Sequence, residues 1–228
     1  MPDLSGRVGY FDMRVSTKNM KMTLKKIVIV AGLAGSFLTG AQAAENTNNI
    51  DAGKAASASC AGCHGVDGNS AVGSFPKLAG QGVPYLVKQM QDIKSGARKV
   101  VEMTGLLDGL TDADINNMAA YFNSKIMSGG QAKEALIEKG EALYRIGNPA
   151  ISMAACSACH GPAGEGVALA KFPSLAGQHA DYIASQLRKF RSGERSNDGD
   201  GRIMRSVAAR ISDKEIEAVS SYIAGLHK

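Results

Sequence analysis

Two short segments contain all four cysteines of the 228-residue chain, and each includes Cys-x-x-Cys-His. The first is CAGCHG at residues 60–65, and the second is CSACHG at residues 156–161. This spacing is compatible with a redox-active dithiol, with half of a zinc site, or with covalent attachment of haem. A pair of disulfides is a further alternative in an exported protein. Each chemistry leads to a different function, so the rest of the sequence has to decide between them.

Covalent haem attachment explains the two motifs best. Disulfides explain the even number of cysteines, but not the histidine that follows each second cysteine. A zinc site needs four ligands close together, and a thioredoxin-type dithiol is expected in a βαβ setting, which the sequence lacks. We therefore predict one covalently bound haem c at each motif, two in all. The attachment residues are Cys60, Cys63, Cys156 and Cys159, and the proximal iron ligands are His64 and His160.

The N-terminal region has the three parts of a secretory signal. A basic start at residues 21–26 precedes an apolar run from residue 27 to about residue 40, and small residues follow. We predict cleavage after Ala43, so that residues 1–43 are an upstream extension plus a signal peptide. The apolar run is too short for a membrane span, which needs roughly 20 apolar residues, so we expect a soluble exported protein. The candidate start codons are Met1, Met20 and Met22.

Composition narrows the function classes further. The net charge of +5 belongs mostly to residues 1–43, which hold six Lys or Arg and two Asp or Glu. The predicted mature chain therefore has 20 basic and 19 acidic side chains, without the basic excess of a nucleic-acid-binding protein. The whole chain has no Trp, six Phe and six Tyr. This sparse set of large side chains indicates that an apolar cofactor fills part of the interior.

The chain is an internal duplication. The block FPKLAGQ at residues 75–81 matches FPSLAGQ at residues 172–178, an offset of 97. Farther on, EMTGLLDGLTDADINNMAAYF matches IMRSVAARISDKEIEAVSSYI at an offset of 101. We define a first repeat at residues 44–130 and a second repeat at residues 131–228, joined by a linker at residues 128–135. Each repeat is predicted to be an all-α domain, since neither shows the alternation of a strand.

Three helices are predicted in each repeat. In the first they cover residues 51–60, residues 84–94 and a segment capped by Thr111. In the second they cover residues 134–145, residues 181–190 and a segment capped by Ser212 with Glu215. Three helices are too few to close a core alone, which again favours a bound cofactor.

The duplication also identifies the distal iron ligands. The only methionine after His160 is Met204, eight residues before Ser212, and Met103 lies eight residues before Thr111. From these matching positions, and because His/Met ligation of haem iron is common, we predict that Met103 and Met204 ligate the two irons. Two other methionines, Met90 and Met118, match Leu187 and Val219 and are expected to be core residues.

Two prolines are further candidates for a role at the iron sites, and two further histidines compete as distal ligands. Pro76 and Pro173 follow the motifs at matching positions, and their carbonyl groups are candidates to accept a hydrogen bond from the proximal histidines. Otherwise each proline only shapes a loop. His179 matches a glycine and His227 is next to the C-terminus, so both are interpreted as surface or helix-end residues.

The motifs together resemble the cytochrome c4 family, dihaem class I c-type cytochromes of the bacterial periplasm. The resemblance covers the mature chain and rests on CAGCHGVDGNS, FPKLAGQG, KGEALYRIGNP, CSACHG and ERSNDGDGRIMR. It implies two tandem cytochrome c domains with pseudo-twofold symmetry, His/Met ligation of both irons, and haem propionates that face each other across the interface.

The resemblance also implies an electron carrier with no catalytic activity of its own. Its expected donor is a membrane quinol-oxidising complex and its expected acceptor a haem-copper terminal oxidase. We expect a periplasmic monomer that binds no nucleic acid, and some members of the family attach loosely to the inner membrane. The alternatives are a dihaem subunit of a flavocytochrome sulfide dehydrogenase and a dihaem peroxidase, which needs an open iron.

Charge differs between the repeats. The first has 7 basic and 8 acidic side chains, whereas the second has 13 and 11. Arg202 and Arg205 flank Met204. One hypothesis is that they raise the potential of the second haem and face an acidic partner; the alternative is an ordinary solvated surface.

Overall fold

The structure, a computed structural model, describes residues 49–228. The predicted signal peptide, its cleavage site and the candidate start codons lie outside this range. Within it the chain is helical, and β-structure is limited to two isolated bridges, Asn148 with Met153 and Val167 with Phe172. The α-helices, numbered in chain order, are α1 Ile50–Ala56, α2 Ala61–His64, α3 Val83–Lys94, α4 Asp112–Asn123, α5 Ile137–Arg145, α6 Ser157–His160, α7 Ala180–Ser192, α8 Ile203–Ala208 and α9 Asp213–Ala224. The 3-10 helices are Ala58–Cys60, Val101–Met103, Glu134–Leu136 and Pro149–Ile151.

The first and last long helices of each repeat cross at a glycine. Helix α1 packs against α4, and α5 packs against α9. A Cβ atom on Gly53 would lie 2.0 Å from the carbonyl oxygen of Asn117, and one on Gly140 would lie 2.4 Å from that of Ala218. Only glycine lets the two backbones approach this closely. The crossing is present in both repeats, and each repeat has a glycine at this point.

Capping boxes begin the last helix of both repeats. The Thr111 hydroxyl accepts a hydrogen bond from the Asp114 N–H, and the Asp114 carboxylate accepts one from the Thr111 N–H. Ser212 and Glu215 form the same pair of bonds at the start of α9. Hydrogen bonds from the cap hydroxyl and then the cap N–H hold the pKa of both carboxyl groups below their ordinary values. Both predicted N-caps are confirmed.

The other predicted helices are present with shifted ends, and three short helices are additional. The helix predicted at residues 51–60 ends at Ala56 and is followed by a 3-10 helix. Helices α2, α6 and α8 have four to six residues, too few for an apolar periodicity to show in the sequence. None of the helices described here is long and apolar enough to cross a membrane.

Each repeat has its own hydrophobic core beneath its Cys-x-x-Cys-His motif. In the first, Leu86 and Phe122 are buried in one cluster, against which Cys60 packs. In the second, Ile216 belongs to a larger buried cluster that contacts Cys156. The first cysteine of each motif is thereby held against a rigid core.

Reciprocal hydrogen bonds from two glutamines join the repeats. The Gln178 side chain accepts from the Lys77 N–H and donates to the Lys77 carbonyl group, both at 2.9 Å. Gln81 makes the same two bonds with Ser174, at 2.8 and 2.9 Å. Lys77 matches Ser174 in the duplication, and Gln81 matches Gln178. These bonds are the contacts expected of pseudo-twofold symmetry, and the predicted all-α fold of two tandem domains is confirmed.

A partly buried polar cluster extends this interface. The interface cluster consists of Tyr85, Gln89, Arg98, Tyr182, Gln186 and Arg195. Arg98 donates to the Tyr182 hydroxyl at 2.9 Å, and Arg195 donates to the Tyr85 hydroxyl at 3.3 Å. Both guanidinium groups cross to the opposite repeat, so the interface is polar and specific as well as symmetric.

Candidate haem sites

The first predicted proximal ligand, His64, is the last residue of α2 and is buried. Its Nδ1 donates a hydrogen bond to the carbonyl oxygen of Pro76 at 2.9 Å. Because a carbonyl oxygen only accepts, Nδ1 carries the proton and Nε2 keeps its lone pair. Burial lowers the pKa of the His64 imidazole, which favours the neutral form that ligates metals.

The second motif repeats this arrangement. His160 ends α6, is buried, and donates from Nδ1 to the carbonyl oxygen of Pro173 at 2.9 Å. Burial again lowers the imidazole pKa. A glycine with positive φ follows each histidine, 79° at Gly65 and 81° at Gly161, and turns the chain away from the motif. The predicted hydrogen bonds to the two prolines are confirmed.

The four cysteines form no disulfide with one another. Burial raises the pKa of Cys60, and it raises the pKa of Cys156 to about 11. Across residues 49–228, no three side chains of His, Cys, Asp or Glu are grouped to hold a metal ion.

A cavity of about 310 Å³ adjoins the second motif. Cys156, Cys159, His160 and Met204 all line it, and most of its remaining wall is apolar. The apolar lining includes Leu175, Ile183, Leu187, Phe190, Ile211 and Val219. Two thiols, one imidazole with a free Nε2 and one thioether in an apolar cavity are the donor set that haem c requires. The residues present therefore fit this cofactor.

Residues of the first repeat complete that cavity. Lys77, Gln81 and Tyr85 line it, together with Tyr182 and Arg195 from the second repeat. A haem has an apolar body and two propionate carboxylates, so its polar edge matches the polar side of this cavity at the interface. The second site consequently depends on the contact between the repeats.

The two predicted distal ligands are placed differently. Met204 is the second residue of α8, packs against the core cluster that contacts Cys156, and shares the cavity with His160. Met103 is half-buried at the end of the 3-10 helix Val101–Met103. The structure thus brings Met204 to its motif, whereas the pairing of Met103 with His64 remains a prediction.

The remaining candidate methionines are core residues, as their repeat counterparts indicate. Met118 is 1% exposed, and its counterpart Val219 is also 1% exposed. Met90 packs against the first cluster and Leu187 against the second. These positions support packing in both repeats rather than ligation.

The net positive charge beside Met204 is smaller than expected from Arg202 and Arg205 together. Arg205 Nε donates to Asp198 Oδ1 at 2.6 Å, and the Asp198 side chain is only 5% exposed. This ion pair offsets the charge of Arg205. Arg202 is exposed, has a left-handed φ of 48° and forms no ion pair with any residue between 49 and 228.

The two other histidines lie at helix ends. His179 is the N-cap residue of α7, and its Nε2 lies 2.9 Å from both the hydroxyl and the carbonyl oxygen of Ser70. His227 is exposed beyond α9, with its ring against Gly129. His179 therefore contributes to the contact between repeats, a role beyond the helix-end interpretation.

Sequence reasoning missed the interface cluster. Its six members are three pairs of matched positions at the repeat offset of 97, such as Arg98 with Arg195. A search of the duplication for matched polar residues with no local partner would have found them. Their pairing across the interface is a tertiary feature that no local pattern contains.

Comparisons with known proteins agree with this geometry. The family model for cytochrome c matches residues 50–125 and residues 137–227. Cytochrome c4 of Pseudomonas aeruginosa is 52% identical over 208 residues, which cover 91% of this chain and all of that protein. The crystal structure of reduced recombinant cytochrome c4 from Pseudomonas stutzeri superposes with a TM-score of 0.78 at 54% identity, covering 79% of this chain and all of that one. A thiosulfate dehydrogenase electron acceptor of Stutzerimonas stutzeri is 38% identical over 86% of this chain and 94% of that protein.

Proposed function

This chain belongs to the cytochrome c4 family, c-type cytochromes that carry electrons and are not enzymes, and from that membership we propose a two-haem carrier. One haem c is bound covalently in each repeat. The domains are residues 44–130 and residues 131–228, after removal of residues 1–43.

The observation that carries this proposal is the hydrogen bond from each motif histidine to a proline carbonyl group. It fixes the orientation of the ring, leaves Nε2 available to iron and raises the basicity of the ligand. It is present in both repeats, which supports two irons rather than one. The proposed covalent attachment residues are Cys60, Cys63, Cys156 and Cys159, and the proposed axial pairs are His64 with Met103 and His160 with Met204.

Haem iron supplies one-electron oxidation and reduction when bound. The residues of this chain favour electron transfer without substrate binding. In each proposed site a histidine and a methionine would both hold the iron, which would leave no free position for a substrate. The walls of the second cavity are mostly apolar, and the reciprocal glutamine bonds join the two repeats in one arrangement. Electron transfer with little rearrangement follows from these features.

The proposed location is the periplasm, and the proposed state is a monomer that associates at most loosely with the inner membrane. The secretory pattern of residues 21–43 and the family membership support this location. The proposed donor is a membrane quinol-oxidising complex, and the proposed acceptor is a haem-copper terminal oxidase.

A second candidate donor is a thiosulfate dehydrogenase. Its support is the 38% identity to a protein named as the electron acceptor of that enzyme. Stopped-flow reduction of the ferric protein separates the two candidates. Rapid reduction by thiosulfate dehydrogenase with thiosulfate favours the second, and rapid reduction only by the quinol-oxidising complex favours the first.

Replacement of the proposed distal ligands tests the ligand assignment. In Met103→Leu or Met204→Leu, one iron loses its thioether ligand, so the absorbance near 695 nm that reports Met–Fe(III) bonds should fall by about half. The reduced form of each variant should also bind carbon monoxide at one iron.

Met90→Leu and Met118→Leu are the matched controls, since both side chains pack in a core and each has an apolar counterpart in the second repeat. Both should keep the full 695 nm band and bind no carbon monoxide. A halved band in either control, or an intact band in Met103→Leu, would refute the assignment. Carbon monoxide binding by the native protein would instead support an open, enzyme-like iron.

A further inference from the structure

A longer loop precedes the proposed distal ligand in the second repeat than in the first. Arg195 matches Arg98 in the duplication. Met103 follows Arg98 by five residues, whereas Met204 follows Arg195 by nine. The second repeat therefore has four more residues at this point, and the way in which they hold Met204 has no template in the first repeat.

Asp198, within this loop, holds the start of α8. Its carboxylate accepts hydrogen bonds from the Arg205 N–H at 2.9 Å and from Arg205 Nε at 2.6 Å. The residue before the helix is Arg202, whose side chain has no acceptor for a helix N–H. Asp198 supplies the oxygen that an N-cap residue normally provides. Because Met204 directly precedes Arg205, these bonds fix the backbone that carries the thioether.

Asn197, the preceding residue, attaches the loop to the first repeat. Its side-chain amide donates to Asp92 Oδ2 at 2.6 Å and to Gln89 Oε1 at 3.0 Å. Its carbonyl oxygen accepts a hydrogen bond from Lys88 Nζ at 2.9 Å. All three partners are residues of α3. The loop before Met204 is therefore anchored to a helix of the opposite repeat.

The segment that carries Met103 is held by local bonds. The Met103 N–H bonds to the Val100 carbonyl oxygen at 3.0 Å, and the Thr104 N–H bonds to that of Val101 at 3.2 Å. Val100 precedes the 3-10 helix, and its side chain has no acceptor with which to cap it. The two methionines thus lie at matching positions but are supported in different ways.

This support bears on how firmly a distal ligand is held. Local opening of the segment that carries a methionine would move its sulfur away from the iron and free the axial position. Hydrogen bonds to an ionised carboxylate are among the stronger ones in proteins. The Asp198 side chain is only 5% exposed, so water replaces its bonds poorly. Opening at Met204 should accordingly be rare while both loop contacts are present.

We propose that Asp198 and Asn197 are positioning residues for Met204. Asp198 holds the backbone of α8, and Asn197 anchors the loop to α3 of the first repeat. Retention of the thioether in the second repeat thereby depends on the first repeat, whereas Met103 is positioned within its own repeat. This inference rests on the proposed two-haem carrier with Met204 as a distal ligand.

The experiment measures how often each methionine leaves its iron in the ferric holoprotein. Imidazole binds the iron only after the sulfur has moved away, so the binding rate at saturating imidazole reports the opening. NMR-assigned haem methyl signals separate the two irons. In Asp198→Ala and Asn197→Ala the rate at the His160 iron should rise about tenfold or more, because each variant loses a hydrogen bond to or from a carboxylate. The rate at the His64 iron should stay near the native value.

Two further variants and a control sharpen this test. Asp198→Asn keeps an acceptor for the backbone N–H and should give a smaller rise than Asp198→Ala. Asp92→Ala lies in the first repeat, yet it should raise the rate more at the His160 iron than at the His64 iron. Asp200→Ala is the matched control, since it removes an exposed carboxylate of the same loop, and both rates should stay native.

The partly exposed Asn197 keeps the test decisive even when Asp198→Ala fails to fold. The inference is overturned if imidazole binds the His160 iron of Asn197→Ala no faster than in the native protein. It is also overturned if the His64 iron responds as strongly, or if Asp200→Ala has the same effect. Two haems and an intact 695 nm band in the native protein would show that the carrier function stands in each of these cases. A native protein without that band would overturn both proposals.

Discussion

The two repeats secure the loop after the haem motif with tyrosines from different helices. In the first, Tyr121 on α4 donates its hydroxyl hydrogen to the Val66 carbonyl group at 2.7 Å. In the second, Tyr144 on α5 donates to the Gly161 carbonyl group, also at 2.7 Å. Both rings are buried, at 3% and 0% exposure. The two acceptors differ by one position, since Gly161 matches Gly65, and the donor comes from the last helix in one repeat and from the first helix in the other.

The counterparts of these tyrosines have other partners. Tyr222 matches Tyr121, yet its hydroxyl bonds to Glu141 at 3.3 Å. Tyr144 lies four residues after Gly140, and the equivalent residue after Gly53 is Ser57, which donates to Gly53. The difference teaches that the duplicated fold requires a buried hydroxyl on this loop and accepts it from either neighbouring helix. The glycine crossings, in contrast, have not moved.

Those crossings should give the largest effect. Gly53→Ala and Gly140→Ala each place a methyl group within 2.4 Å of a backbone oxygen, so each should lower the free energy of unfolding by about 1–3 kcal/mol. Chemical denaturation of the holoprotein measures both. Gly109→Ala is the control, because a Cβ at that position meets no atom within 4 Å. If all three variants were equally stable, the helix crossings would tolerate a methyl group, and neither repeat would need glycine there.

Removing a tyrosine hydroxyl should lower the free energy of unfolding by less than the glycine substitutions do. Tyr121→Phe and Tyr144→Phe each leave a loop carbonyl group without its donor and should cost about 1–2 kcal/mol. Tyr222→Phe should cost less, because its partner Glu141 is 46% exposed and can bond to water instead. The same denaturation assay ranks the three. If Tyr222→Phe lowered the free energy of unfolding as much as Tyr121→Phe does, the hydroxyl at this matched position would matter equally in both repeats. Its bond to the loop carbonyl group would then not explain the effect.

Much of the fold and of the candidate sites was predictable because the two repeats can be aligned with each other. Thr111 and Ser212 marked the start of the last helices, and the second repeat reduced the candidate distal ligand to Met204, which lines the same cavity as His160. Features that depend on one repeat meeting the other were not predictable. Arg98 reaches Tyr182, 84 residues away, and no periodicity encodes that contact. Helix α8 was missed because a short helix after a glycine-rich turn looks like loop.

The central claim is that each repeat holds one covalently bound haem, and the intact mass of the purified holoprotein tests it most directly. Mass spectrometry under denaturing conditions retains thioether-bound haem and loses haem that is only coordinated. The account predicts a chain beginning at residue 44 that carries the mass of two haem groups. A chain with one haem, or with none after denaturation, would contradict it.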